Sequence, residues 1–384
     1  MAISLRRKRE APRGRYTPNL WPVWVVAPLT LIAAGALGWV IYHYAYDYFA
    51  QAAAEQKPPK PVNINDVLKA AVTALTLIGA VLAGLYAYRK QLLAEGDAHR
   101  ADASQLAERY TTAAEQLGHD QAAVRLAGVY ALARLADDWG EQRQVCIDVL
   151  CAYLRMPYEP DPYGAEHKVG EGEVRQTIIR VIRDHLQQPD APTAWCEYNF
   201  DFTNAVFDGG SFSTSHFRGT VTLSRALFYG TVGFGRATFS GDVDFGRATF
   251  NGGVDFGRTS FNGDVDFSRT TFNEGCMVDF GGTRFSGMVD FGRATFNDGN
   301  IDFGRSTFNG FMVDFGRSTF NGSMVDFGSA IFSCRTVTFG HATFNDGNID
   351  FVGARLSGGA IIFDDATFSG TLFGWGPVPA PAGA

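Results

Sequence analysis

The sequence predicts a composite fold: two transmembrane α-helices, a small α-helical domain and an all-β solenoid. Three observations predict it. Residues 16–42 and 70–88 carry no charged side chain; residues 91–190 are rich in apolar stripes at helical spacing; and from Phe202 onward a large apolar residue recurs at intervals centred on five and six. The 384-residue chain has a formal net charge of -7, but composition shifts sharply along it. No lysine follows Lys168, and phenylalanine is scarce before Phe200 and dense after it.

The N-terminal part divides into a basic tail (residues 1–20) and a two-span hairpin (residues 21–90). The tail holds Arg6, Arg7, Lys8, Arg9, Arg13 and Arg15 against Glu10 alone. The first apolar run is long enough to cross about 30 Å of hydrocarbon. Trp21 and Trp24 at one end, with Trp39, Tyr42 and Tyr44 at the other, match interfacial aromatic belts. Pro28 within it is tolerated in a membrane helix. The run is too long for a secretory signal and leads to no clear cleavage site. A Lys/Pro linker, QKPPKPVNIND, precedes the second run, which ends at Arg89-Lys90. Ala34/Gly38 and Ala80/Gly84 are small residues four apart that would let the two helices approach closely. The distribution of basic residues places both termini in the cytoplasm and the protein in the plasma membrane.

Residues 91–190 read as a helical juxtamembrane domain. EGDAHRADASQLAERYTTAAEQLG is polar enough for a stalk continuing the second span. DQAAVRLAGVYALARLADDWG then carries a wide apolar stripe with Asp120 as the expected N-cap. QVCIDVLCAYLR forms another helix stopped by Pro157, and EVRQTIIRVIRDHL a third. The paired short helices resemble a HEAT-like hairpin. Arg125, Arg134, His119 and His185 are read as solvated faces and helix ends. Five scattered cysteines form neither CxxC pairs nor Cys/His clusters, so they are read as free thiols of a reducing compartment.

The third region is set by spacing. In VDFGRATFNGGVDFGR (residues 243–258), Phe245 and Phe250 are five apart, and Phe250 and Phe256 six apart. A straight strand would send Phe256 and Phe261 to opposite sides, and a helix is contradicted by the dense Gly and Thr. The chain must turn between successive phenylalanines to bring them to one interior, as a solenoid coil does. The expected core is Phe245, Phe250, Phe256, Phe261, Phe267, Phe272, Phe291, Phe296, Phe303, Phe308, Phe315 and Phe320. An up-and-down barrel fails the same alternation test, and FNDGNIDF lacks the G-G-x-G-x-D pattern of a calcium β-roll.

In each five-residue cassette a small residue, an Asp or Thr, a Phe and two corner residues follow one another. This pattern resembles the pentapeptide-repeat family over about residues 198–373, leaving residues 374–384 as a tail. The resemblance implies a right-handed quadrilateral β-helix with one cassette per face and about seven coils. Added residues after every second cassette (Asp242, Gly253, Asp264, then Gly275-Cys276-Met277 and pairs such as Phe311-Met312 and Ser323-Met324) are expected at two opposite edges.

Function is sought on the surface. Arg247, Arg258, Arg269, Arg293, Arg305 and Arg317 recur two places after a Phe; Asp244, Asp255 and Asp266 one place before one. They are the candidate interaction surface, and interleaving of the Asp and Arg ladders is expected to neutralise both. No GxxxxGK[ST], HExxH or GxSxG motif occurs, so no enzyme activity, catalytic residue, cofactor or metal is expected. The sequence therefore predicts a membrane-anchored scaffold meeting an unknown protein partner, with a possible homodimer contact at the solenoid's C-terminal end through Phe373 and Trp375. Some pentapeptide-repeat proteins are DNA mimics that bind gyrase, which is the alternative; residues 200–375 hold 17 Asp and one Glu against 12 Arg, so arginines dilute the acidity mimicry needs. Binding to nucleic acid itself is not expected.

Overall fold

The computed structural model describes residues 23–55, 61, 63–165 and 167–381. The basic tail, Trp21, most of the linker and the last three residues lie outside the described residues. The chain divides into two compact units between residues 101 and 102.

In the first unit, helix α1 spans Val23–Ala54 and helix α2 starts at Ile64 and runs to Leu117, through the division. Pro28 sits inside α1. Among the described residues, one helical stretch, Ile64–Gln91, is long and apolar enough to cross a membrane. Its apolar side chains, such as Leu77, Val81, Leu82 and Leu85, are largely exposed. The two expected small-residue sites differ in their surroundings. A Cβ on Gly38 would sit 3.4 Å from Leu75, whereas nothing lies within 4 Å of the corresponding point on Gly84. Near the start of α2, Val67 and Ala71 are buried.

In the second unit, three further helices pack together: α3 (Ala122–Asp138), α4 (Arg143–Arg155) and α5 (Glu171–Leu186). The α4 helix stops two residues before Pro157, as the missing N–H of proline and its clash with the preceding turn require. The N-cap of α3 is Gln121 rather than Asp120, without a side-chain cap bond. Cys146 and Cys151 are buried and inert; burial pushes the Cys146 thiol up to about 11. The helices α4 and α5 cover the N-terminal end of the solenoid. Gln144 exchanges hydrogen bonds with the Asn199 backbone at 2.9 and 3.0 Å, and Arg175 donates to the carbonyl of Val206 at 3.4 Å. A solenoid's first coil has no preceding coil to bury it, so a cap is a condition of solubility.

The solenoid has four parallel sheets, three of eight strands and one of seven. They are called here the first to fourth faces, starting from the strands at Phe200–Asp201, Val206–Phe207, Gly210–Ser211 and His216–Phe217. Successive strands of the chain step from face to face, and each pairs with the strand one coil later, giving about 7 turns. On the first face Val243, Val265, Val289, Val313 and Val337 are stacked partners. The added residues fall before the first and third faces, at two opposite edges, and they also lengthen strands: Met277 pairs with Asn300, and Asn300 with Met324.

The interior is built from two cassette types. On the first and third faces Val or Ile precedes the Phe by two residues in the coils after the first, as in Val243 and Val254, with Phe200 and Gly210 at these places in the first coil; on the second and fourth the partner is Ala, Ser or Thr, as in Ala248 and Thr259. The predicted phenylalanines are all fully buried. They form columns: Phe245, Phe267, Phe291, Phe315 and Phe339 stack with centroids 4.7–4.8 Å apart, within 6° of parallel. Across the interior the rings meet edge to face, as do Phe245 and Phe256 at 5.4 Å and 88°. Most buried hydroxyls among the rings are satisfied by backbone, Ser215 being the exception. Thr259, Thr283 and Ser306 donate to the carbonyls of Phe234, Phe256 and Phe280 at 2.6–2.7 Å. At the far end Trp375 stacks on Phe373 at 4.3 Å and meets Phe363 edge-on at 5.6 Å, with Val378 buried beside them. These side chains cover the last coil.

Each ring contributes about 1.5–3 kcal/mol by burial before chain entropy is subtracted. Removing Phe291, whose column continues on both sides, should cost about 3–5 kcal/mol in Phe291→Ala. Phe291→Leu should cost less than about 1.5 kcal/mol, since Leu223 already occupies this column. Urea unfolding midpoints with an unchanged slope check both.

Candidate interaction surface

The surface chemistry of the first and third faces follows from one cassette, Val-Asp-Phe-Gly-Arg. Val243 and Phe245 point inward, so Asp244 between them points out. Its Oδ1 accepts the N–H of Gly246 at 2.6 Å. The same turn recurs at Asp255, Asp266, Asp290, Asp302, Asp314 and Asp326, each accepting from the residue two places on at 2.5–2.7 Å. Glycine most often follows the Phe, where a Cβ on Gly246 would lie 2.9 Å from that carboxylate oxygen, although Ser268 takes the same place after Phe267. The Asp residues are therefore turn caps as well as charges.

The next residue takes a left-handed backbone. Arg225, Arg236, Arg247, Arg258, Arg269, Arg293, Arg305 and Arg317 all have φ between 58° and 62°. The structure thus places arginine at this left-handed corner eight times. Gly282 and Gly353 occupy the same position in other cassettes. An arginine there bears a backbone cost of roughly 1 kcal/mol that glycine would not.

Stacking turns these positions into columns. On the first face Arg225, Arg247, Arg269, Arg293 and Arg317 follow one another, continued by His341. Beside them run Asp244, Asp266, Asp290 and Asp314, which pair coil to coil. A shallow trough lies between the two columns, lined by Ser268, Gly292 and Gly316. The third face repeats the arrangement with Asp255, Asp279, Asp302 and Asp326 beside Arg236, Arg258 and Arg305, the basic column broken at Gly282. The candidate residues thus divide between two faces that share no strand pairing. Arg247, Arg269, Arg293, Arg317, Asp244 and Asp266 belong to the first; Arg258, Arg305 and Asp255 belong to the third.

Among the described residues, the Asp and Arg ladders make no direct ion pair with each other: no member of these Asp columns lies within 4.0 Å of an arginine of the Arg columns, and the ion pairs of the solenoid are Arg155–Asp201, Arg218–Glu197 and His341–Asp365. The turn bond pins each carboxylate beside its own Phe-Gly step, while the arginine leaves from the corner. Burial, and secondarily the neighbouring Asp266 carboxylate, raises Asp244 above its ordinary value; burial, then Asp314 and Asp266, does the same for Asp290. Two of the added edge residues are acids that extend this strip. Asp242 and Asp264 accept the backbone N–H of Asp264 and Met288 at 2.9 and 2.7 Å, adding charge on the Asp side of the first face.

The helical domain holds a buried ionic cluster that the sequence reading placed in solvent. Arg125 is 6% exposed, and its Nη2 lies 3.2 Å from Glu171 Oε2. Arg175 pairs with Glu171 Oε1 at 3.2 Å, and the Tyr153 hydroxyl donates to Oε2 at 2.8 Å. Arg175 also caps the end of α4 through the carbonyls of Leu154 and Met156. The signal was available: Arg125 shares a helical face with buried Val129, Leu132 and Ala136. Its bonds are to structural backbone, which makes the cluster a fastener of helix ends. His185 stacks on Trp195 at 4.1 Å beside Asp137 and is likewise structural. Among the described residues, no group of three or more His, Cys, Asp and Glu side chains is placed to hold a metal ion.

The raised acids give a signed expectation. Asp244 and Asp290 bind protons more readily folded than unfolded, so stability falls as pH rises from the ordinary carboxylate range through their raised values, and levels off above. Asp290→Asn keeps an oxygen for the Gly292 N–H and should leave stability at neutral pH unchanged or higher, with a shallower acid-side slope. Asp290→Ala should lose about 1 kcal/mol with the turn bond. Denaturant midpoints between pH 4 and pH 7 distinguish the two.

A family model described as pentapeptide repeats (9 copies) matches residues 234–277. No curated protein and no solved structure matches the chain. The matched segment lies in the middle of the four-faced coil, and the same cassettes, face by face, extend on both sides of it. The match and the solenoid that these cassettes build support the pentapeptide-repeat family for this region of the chain.

Proposed function

We propose that this protein is a membrane-anchored, non-enzymatic scaffold that presents a rigid cytoplasmic solenoid to a protein partner. The observation that carries the reading is the pair of arginine columns. At eight corners the chain accepts a left-handed arginine where glycine is sterically easier, and Gly282 and Gly353 demonstrate that the coil closes with glycine. Folding does not require the guanidinium groups, so their role is on the surface. Anchoring rests on Ile64–Gln91, with the uncharged part of α1 as a second span; the basic tail and Arg89-Lys90 support a two-pass topology in the plasma membrane with both termini in the cytoplasm. The gyrase-binding alternative is disfavoured, because each acidic column has a basic column beside it instead of a continuous acidic face.

A homodimer through the C-terminal end is a second reading. Three strands there, Ala360–Ile362, Thr367–Ser369 and Leu372–Gly374, each have one edge with no further strand in the chain, and Leu372 is exposed. Such edges are templates for pairing.

The scaffold reading expects membrane fractionation of the full-length chain, cytoplasmic signals from reporters at both ends, and capture of a partner that is lost in Arg258→Gly/Arg305→Gly while stability stays within about 1 kcal/mol per site, because relief of the left-handed strain offsets the added unfolded-state entropy. An extracellular C-terminal reporter would exclude the topology. Potent inhibition in a gyrase supercoiling assay would restore the alternative. If Leu372→Lys leaves any dimer intact, the end contact is removed.

A further inference from the structure

We propose that the first face of the solenoid pairs with the same face of a second copy of this chain, side by side and running in the same direction. This rests on the interaction reading above and names its partner. The first face is divided lengthwise into two charged strips. Asp242, Asp244, Asp264, Asp266, Asp290 and Asp314 occupy one side, and the unbroken arginine column from Arg225 to Arg317 occupies the other. Among the described residues, neither strip makes a direct ion pair with the other. Burial and like-charge stacking already disfavour the ionised acids here.

Symmetry decides what such a face meets. A two-fold axis parallel to the solenoid axis brings the acidic strip of one copy opposite the basic strip of the other, on both sides of the axis at once. A two-fold axis lying across the strips brings acid opposite acid and base opposite base. The charge pattern therefore selects the parallel pair and rejects the antiparallel one. The spacing selects a second copy. Opposing columns stay in register over several coils only when both repeat at the same rise, about 4.8 Å per strand, and two copies of one face satisfy this by construction. The third face is less suited, because its basic column is interrupted at Gly282. A chain held in a membrane meets its neighbours in one orientation and at raised effective concentration, so exposed ion pairs that are weak in dilute solution act together.

Two independent measurements on the full-length chain in nanodiscs test the pairing. Ser224 and Ser268 lie on the trough line between the strips, one residue beyond Leu223 and Phe267. In the parallel pair each faces its own counterpart near the axis, so Ser224→Cys and Ser268→Cys should each form a disulfide-linked dimer under mild oxidant. In an antiparallel pair the two positions, two coils apart, cannot both meet themselves. The five native thiols are buried and give no background. The second measurement is light scattering. Wild type should be dimeric at low salt and dissociate as salt rises, and Arg247→Asp/Arg269→Asp/Arg293→Asp should be monomeric with an unchanged melting curve. Asp365 already sits at this corner of the first face with φ 55°, so the substitution suits the backbone. A monomer at low salt, a dimer that survives the triple variant, or crosslinking at only one serine position overturns the proposal. If the chain is monomeric yet still captures a different protein through its arginines, the self-pairing falls and the scaffold reading stands.

Discussion

The structure depends on one coincidence of lengths. Hydrogen-bonded strands stack at about 4.8 Å, and parallel aromatic rings here stack at 4.6–5.3 Å. A phenylalanine placed once per face and per coil therefore satisfies backbone pairing and ring packing together, with no residue left to fill a gap. Everything else in the solenoid is arranged around that column. The smaller inward residue fills the space beside each ring, and at Thr259, Thr283, Ser306 and Ser318 its hydroxyl is bonded to a Phe carbonyl of a neighbouring turn.

The corners are the other half of the construction. A four-sided coil must turn sharply every five residues, and backbone groups at those turns need partners. Asp supplies an acceptor for the N–H two places ahead, and the left-handed residue that follows donates its own N–H to the next coil: Arg247 to Ser268, Arg269 to Gly292 and Arg293 to Gly316, each at 2.9 Å. Charge on the surface is thus partly a by-product of turn chemistry on the acidic side. On the basic side it is not, since glycine serves that backbone as well. This asymmetry separates what the fold needs from what the surface offers.

The two ends of the coil are closed by different means. Helices α4 and α5 cover the first turn with hydrogen bonds from Gln144 and Arg175 to its backbone, and a stacked Phe373–Trp375 pair with Val378 covers the last. The buried Arg125–Glu171–Arg175 cluster ties the helix ends together next to that first turn. Breaking one partner of such a cluster leaves an uncompensated buried charge, which makes it a sensitive point of the helical domain.

Phe245, Phe250 and their successors were legible because a spacing of five and six admits one simple answer, a chain that turns between rings. Asp244 and Arg247 were legible as recurring charges, but their relation was not. Sequence order puts them three residues apart, and only the coil shows that a turn bond holds one while a left-handed corner carries the other away. Arg125 was misjudged because an arginine on an apolar helical face is visible in sequence while the carboxylate that meets it, Glu171, lies 46 positions away. The sequence by itself determined the solenoid, its core and the apolar runs, because periodicity and hydrophobicity are local properties. The tertiary structure decided which charges share a face and which remain unpaired, because those depend on which coil stacks on which.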